Sequence, residues 1–276
     1  MPELPEVETL CRGLKPHLEK KQIKRSFSYK EKLRYPIPNL DHLENTIINS
    51  INRRGKYLIF NFDHGNLLVH LGMSGVLRLF DLNDQTQTKQ KHDHIEFYFD
   101  DFILRYNDPR RFGLFLWQNN TINIESHPLL ASLGPEPLGD QFTSNYLYQI
   151  CQKKKRAIKL TIMDSKCVTG VGNIYASEAL FKAKIHPQTN ANQLNETQCT
   201  ILVEKIKETL SDAISQGGTT LKDFKNQDGK PGYFAQKLLV YGKENEPCLM
   251  CKNKIEKITL GQRSTFFCSN CQKIPT

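Results

Sequence analysis

Met1-Pro2-Glu3-Leu4-Pro5-Glu6-Val7-Glu8-Thr9 opens this chain, and two physical readings of the stretch compete. The plainer one is a helix start. Proline suits the first helical position, and Glu3, Glu6 and Glu8 suit the positive end of the helix dipole. Val7, Leu10, Cys11 and Leu14 follow at i, i+3, i+4 and i+7, so an amphipathic helix is expected to run to about Pro16–Lys20. The second reading is chemical. Initiator methionine is commonly removed before proline, which would leave Pro2 with a secondary amine. An α-amine titrates near pH ~8, so part of it is uncharged and nucleophilic at neutral pH. A carboxylic acid beside such an amine, here Glu3, is what Schiff-base chemistry at a sugar carbon requires.

Beyond the helix the hydrophobic period changes to two. From Ile23 to Gln118 short β-branched and aromatic runs (56–62, 67–71, 76–80, 95–99 and 102–106) alternate with turn signals such as Asp63-His64-Gly65-Asn66 and Asp100-Asp101. This spacing predicts a β-sandwich or flattened barrel, with polar Gln85–Lys91 as an exposed loop. Gly134-Pro135-Glu136-Pro137-Leu138-Gly139 reads as a linker. Helical patterns then cover 143–153, 157–163, 173–183 and 196–216, with Thr143 and Asn195 as N-caps. Gly217–Gly232 is glycine-rich and poorly apolar, which predicts a mobile loop. The fold class is α+β.

The chain has 276 residues, and 38 basic against 29 acidic side chains give a net charge of +9. That balance favours a polyanionic partner, nucleic acid first. No apolar run approaches the ~20 residues of a membrane span, and no signal peptide precedes the acidic start. A cytoplasmic protein is expected. Cys11, Cys151, Cys167 and Cys199 are scattered and read as reduced thiols. Cys248, Cys251, Cys268 and Cys271 instead form C-x2-C-x16-C-x2-C, the spacing of a tetrahedral four-cysteine zinc site. Four thiolates leave no open coordination position, so the expected cofactor is one structural Zn2+. A segment this short needs the metal to fold. Between the pairs, residues 262–267 predict a β-hairpin carrying Arg263 at its tip, placed for phosphate contact.

Together these segments resemble the formamidopyrimidine-DNA glycosylase family of base-excision enzymes. The matching blocks are Pro2–Thr9, Arg53-Arg54-Gly55-Lys56-Tyr57-Leu58 and His70-Leu71-Gly72-Met73-Ser74-Gly75. Asp108-Pro109-Arg110-Arg111-Phe112-Gly113, Leu133–Leu138, Gly170-Val171-Gly172-Asn173-Ile174-Tyr175-Ala176-Ser177-Glu178 and the zinc hairpin complete the set, in the family's order over the whole chain.

The resemblance implies a leading helix and β-sandwich catalytic domain (1–133). It implies next a helical DNA-binding domain with a helix–two-turn–helix and a lesion-capping loop (134–242, loop 217–232), then a zinc-finger hairpin (243–276). It implies excision of oxidised purines from double-stranded DNA, with lyase activity at the abasic site. Pro2 would attack C1′, Glu3 would be the general acid/base, Lys56 would contact phosphate and assist β-elimination, and Arg263 would assist δ-elimination. Glu6 would order the site. Met73, Arg110 and Phe112 would fill the void left by the extruded base, and Arg111 would hold phosphate. His70, His92, Lys155 and Asn173 match further DNA-contacting positions. The expected partner is damaged or abasic duplex DNA; neither membrane nor small-molecule cofactor is expected, and a monomer is. Lys252 stands where the family commonly has glycine. Two other readings compete: an endonuclease VIII type acting on oxidised pyrimidines, against which Leu4 argues, and a non-catalytic zinc-ribbon DNA-binding protein.

Overall fold

The computed structural model describes residues 2–83, 88–218 and 234–274, which group into two compact units. One gathers Met1–Ala131 and Gln216–Ala235, the other Ser132–Ser215 and Gln236–Thr276.

The first unit begins with α1 (Leu4–Leu18), which ends within the range its apolar spacing predicts. Glu6 reaches back to the Glu3 N–H at 2.8 Å in a capping box, satisfying a donor that a helix start otherwise leaves open. Leu4, Val7, Leu10, Cys11, Leu14 and Leu18 form the buried face. Each fully buried leucine contributes about 1.5–3 kcal/mol. After Leu18 the backbone becomes extended at Glu19 and left-handed at Lys20, which ends the helix.

Among the described residues, eight antiparallel strands make two four-stranded sheets. One has the order β1 (Arg25–Ser28), β6 (Asp93–Tyr98), β7 (Phe102–Asn107), β5 (Val76–Asp81). The other runs β2 (Ser50–Arg54), β3 (Tyr57–Phe62), β4 (Gly65–His70), β8 (Leu114–Asn119). Side chains of both sheets and of α1 share one apolar core, including Leu14, Ile51, Leu67, Ile95, Leu104 and Phe115, so the predicted sandwich is present. The five strand segments read from the sequence coincide with β3–β7 to within two residues at each end. Lys56 is the exception: it sits in the β2–β3 turn and not on the strand. Short helix α2 (Pro128–Ala131) closes this part of the chain.

Register places the key turns together. Val76 pairs with Asn107, and His70 with both Leu114 and Tyr57. The β4–β5 and β7–β8 connections, which cross between sheets, therefore lie side by side at one end of the sandwich. The β2–β3 turn is at that end too.

The second unit contains α3 (Ser144–Gln152), α4 (Ile158–Ile162), α5 (Asn173–Lys182), α6 (Glu196–Ser215) and the hairpin β9 (Glu256–Leu260)–β10 (Arg263–Phe267). Thr143 caps α3 by accepting from Tyr146 N–H at 3.1 Å, and Asn195 accepts from Gln198 N–H at 2.8 Å before α6. Residues 174–181 of α5 are all buried, making it the central helix of its unit. The expected linker at Gly134 is no loose tether. Gly134 N–H donates to Ser165 at 2.7 Å and Thr169 N–H donates to Pro135 at 3.1 Å, so packing holds the segment within this unit. Among the described residues no helix is long and apolar enough to cross a membrane.

Of the expected loop at 85–91, residues 88–91 are described and exposed while 85–87 lie outside the described residues; most of 217–232, with Lys222, Lys225 and Lys230, lies outside them. Gly217 and Gly218, both at positive φ (+74° and +81°), are described.

Candidate functional site

Pro2 and Glu3 lie at the buried N-terminus of α1, with Glu3 and Glu6 each only 2 % exposed. Gly218 passes directly over Glu6: a Cβ there would meet the Glu6 Oε1 at 3.0 Å. Phe234 N–H donates to Gly218 at 3.1 Å. Glu8 ties the same turn of α1 to β2 through Arg53, at 2.6 Å, and Arg53 also donates to Gly55 at 3.0 Å. Burial opposes ionisation of Glu8, but Arg53 and Arg12 prevail and hold its carboxyl below the usual range. Gly55 takes a φ of +57°, as a tight turn with glycine in first place requires, and half-buried Lys56 follows it.

His70 ends β4, its ring tilted against Tyr57 at 4.8 Å. Burial, and behind it the Lys56 and Arg34 charges, push its pKa down to about 4. At neutral pH its Nδ1 therefore accepts the Gly72 N–H, at 3.0 Å. This bond leads into the turn that presents Met73, which is half-buried. In the neighbouring turn, Arg110 and Arg111 are exposed and Phe112 is 44 % exposed, with the Arg110 guanidinium 4.9 Å from the Phe112 ring centre. Arg111 adopts φ +55°. His92 is half-buried, and its carbonyl accepts Asp108 N–H at 3.0 Å.

In the second unit Asn173 opens α5, and its amide donates to Ser264 at 2.9 Å and to the Tyr241 hydroxyl at 3.3 Å. It thereby joins the helix start to β10. Arg263 is exposed as the first residue of β10, after a turn in which Gly261 and Gln262 both take positive φ (+55° and +60°). This is the primed geometry of a two-residue hairpin. Lys155 lies on exposed surface. Sequence reasoning missed Lys159, which is 0 % exposed and donates to Thr265 Oγ1 at 2.7 Å and Ser264 at 3.3 Å. It missed Glu178 as well, whose carboxylate accepts the N–H groups of Leu239, Val240 and Tyr241 at 2.8–3.0 Å. An acid or lysine inside an apolar helical run (Ile158-Lys159-Leu160) was the available signal.

The four cysteines gather as their spacing predicts, with all Sγ atoms within 4.8 Å of one another. Cys251–Cys268 and Cys248–Cys271 separations are 3.4 and 3.9 Å. Thiolates ~2.3 Å from a central zinc define a tetrahedron with edges of about 3.8 Å, so the donor set fits one structural zinc ion. Around it the module buries little of its own: Cys248, Ile255, Phe266 and Cys268 pack with Val240 and Phe181 of the same unit.

The N-terminal domain of formamidopyrimidine-DNA glycosylase matches residues 1–115, and the H2TH domain of the same enzyme matches 133–225. A zinc finger found in FPG and IleRS matches 245–274. A formamidopyrimidine-DNA glycosylase of Hydrogenovibrio crunogenus is 52% identical over 99% of this chain and 97% of its own length. Among solved structures, Lactococcus lactis Fpg in complex with DNA containing an abasic site aligns with TM-score 0.90 at 35% identity, covering 98% of this chain and 99% of that one. MutM in complex with DNA containing carbocyclic 8-oxo-G aligns with TM-score 0.90 at 36% identity, over 99% and 100% of the two chains. Motifs, fold and full-length likeness agree, and the chain belongs to the formamidopyrimidine-DNA glycosylase family.

Proposed function

We propose that this protein excises oxidised purines such as 8-oxoguanine and formamidopyrimidines from duplex DNA and then cleaves the abasic strand. The observation that carries the reading is the start of α1. Pro2 is followed there by two buried carboxylates, one capping the helix and one beside the prospective nucleophile.

Once Met1 is removed, the Pro2 nitrogen attacks C1′, and the bond from C1′ to the base breaks with a proton passing to the departing base. Glu3 is the acid/base at the sugar. The C1′–O4′ bond then breaks with Glu3 giving a proton to O4′, which leaves Pro2 and C1′ joined as an iminium. Loss of a C2′ proton turns it into an enamine, and the 3′ phosphate leaves by β-elimination. A second elimination expels the 5′ phosphate, and water then releases the enzyme. Lys56 and His70, at the same end of the sandwich, and Arg263 on the zinc hairpin are phosphate-binding candidates, with Lys56 assisting the first elimination and Arg263 the second. Asn173 and Lys155 supply further contacts to the DNA backbone. His92 and Arg111 flank the void-filling trio Met73, Arg110 and Phe112. The structural zinc stabilises the hairpin that carries Arg263 and takes no part in bond breaking.

Borohydride added during reaction with 8-oxoguanine duplex should trap a covalent adduct, and mass spectrometry should place it on Pro2. An adduct on an internal residue, or free product with none, overturns the mechanism. Stronger cleavage of an oxidised-pyrimidine duplex would instead assign endonuclease VIII specificity. DNA binding with no cleavage of either duplex would leave only the binding protein.

A further inference from the structure

Between the Met73 turn and the Arg110–Phe112 turn lies a carboxylate that the proposed chemistry does not use. Asp108 is 0 % exposed, and four donors converge on it. Its Oδ1 accepts from the Ser74 hydroxyl at 2.6 Å and from Arg110 N–H at 3.3 Å. Its Oδ2 accepts from Gly113 N–H at 2.9 Å and the Tyr106 hydroxyl at 3.1 Å. Arg110 N–H also approaches Ser74 Oγ, at 3.2 Å. One side chain thus holds both ends of its own turn and reaches across to the other.

Packing at this point leaves no slack. A Cβ on Gly75 would lie 2.4 Å from the Tyr106 hydroxyl, and one on Gly113 would lie 1.8 Å from it. Gly72, at φ +67°, meets the neighbouring turn backbone to backbone: its Cβ would be 2.4 Å from the Phe112 carbonyl carbon. Both turns are therefore closed on the same phenol, and moving a donor away would leave a buried carboxylate oxygen without its hydrogen bond. Displacing either turn alone would break bonds to Asp108.

We infer that Asp108, Ser74 and Tyr106 form a positioning unit that couples the two turns, so that Met73, Arg110 and Phe112 enter the DNA stack as one body. The inference rests on the proposed role of those three side chains as void fillers. Asp108 touches no reacting atom, and its effect is confined to the step that opens the stack. The unit should be dispensable when no stack has to be opened.

Ser74→Ala removes the shortest bond between the turns, and Ser74→Thr keeps the hydroxyl. The decisive comparison uses two substrates: an 8-oxoguanine duplex with 2-aminopurine beside the lesion, and an abasic site in a single strand. For Ser74→Ala the fluorescence phase reporting unstacking, and kcat for excision, should fall about tenfold or more. KM and single-strand β-elimination should stay within about twofold. Ser74→Thr should recover most of the loss. Tyr106→Phe, with urea midpoints measured for each variant, serves as the second test if Ser74→Ala folds poorly. Equal losses on both substrates, or losses that track the urea midpoint, would reduce the unit to fold support and overturn the inference, as would unchanged unstacking. Failure of the Pro2 reading is distinguishable, because the unaltered protein would then give no borohydride adduct with either substrate.

Discussion

Lys252 takes a φ of +67° just after the second zinc cysteine, where its N–H donates to Cys248 at 2.9 Å. A residue with a Cβ costs about 1–2 kcal/mol in this left-handed region, and glycine does not. Lys252→Gly should therefore stabilise the knuckle by about 1 kcal/mol, less the entropy that glycine adds to the unfolded chain. A rise in the thermal midpoint of the zinc-loaded protein checks this. His70 offers a pH prediction. Its pKa of about 4 in the fold lies below the ordinary histidine value, so the unfolded chain binds the extra proton first as pH falls. The stability it contributes is full above about pH 6.5 and is lost toward pH 4. His70→Gln should flatten that part of the urea midpoint against pH, relative to the unaltered protein. A steeper slope in the variant would reverse the assignment.

At the scale of elements, apolar spacing made α1, the middle strands, α3 and α6 legible, because burial on one face imposes the period directly. The hairpin and the zinc knuckles were legible for another reason: turn chemistry and thiolate spacing are local. Lys56 shows where pattern reading stops. It continues an alternating run, yet Gly55 turns the chain just before it and makes it a turn residue. Gly134–Gly139 carried linker composition, but composition does not reveal that Ser165 and Thr169 hydrogen-bond to it. Asp108 lay inside a quoted motif without a role, since its four donors come from residues 74 to 113 and meet only in the fold. The β9–β10 hairpin depends on few buried side chains besides the metal, so chelation should disorder it selectively. Circular dichroism of α3–α6 should change little, while duplex affinity falls. Full affinity after complete zinc loss, measured on the same sample, would contradict this. Cys268→Ser should weaken binding in the same direction.

For the whole molecule the net charge of +9 sets the expectation. If Lys56, Arg111, Lys155 and Arg263 each neutralise a phosphate, log affinity should fall with log salt at a slope of about −0.9 per contact, near −4 for these four. Titration of a non-cleavable abasic duplex at several salt concentrations measures it. Charge-removing substitutions at any one of them should lessen the slope by about one. Pro2→Gly should leave that slope and the affinity largely as they are while excision collapses, because an amine that reacts with the sugar is not one of the cations holding the backbone. Parallel loss of binding and excision would mean the terminus matters only for folding.

Lys159 has a further use. Its amine is wholly enclosed and spent on Thr265 and Ser264, so a reagent that acylates lysines has no path to it in the native protein. Mass-spectrometric footprinting would then read hairpin docking from a single peptide: silent while β10 is seated, labelled once it detaches. The molecule carries its own internal gauge for that event, with no added dye or engineered tag.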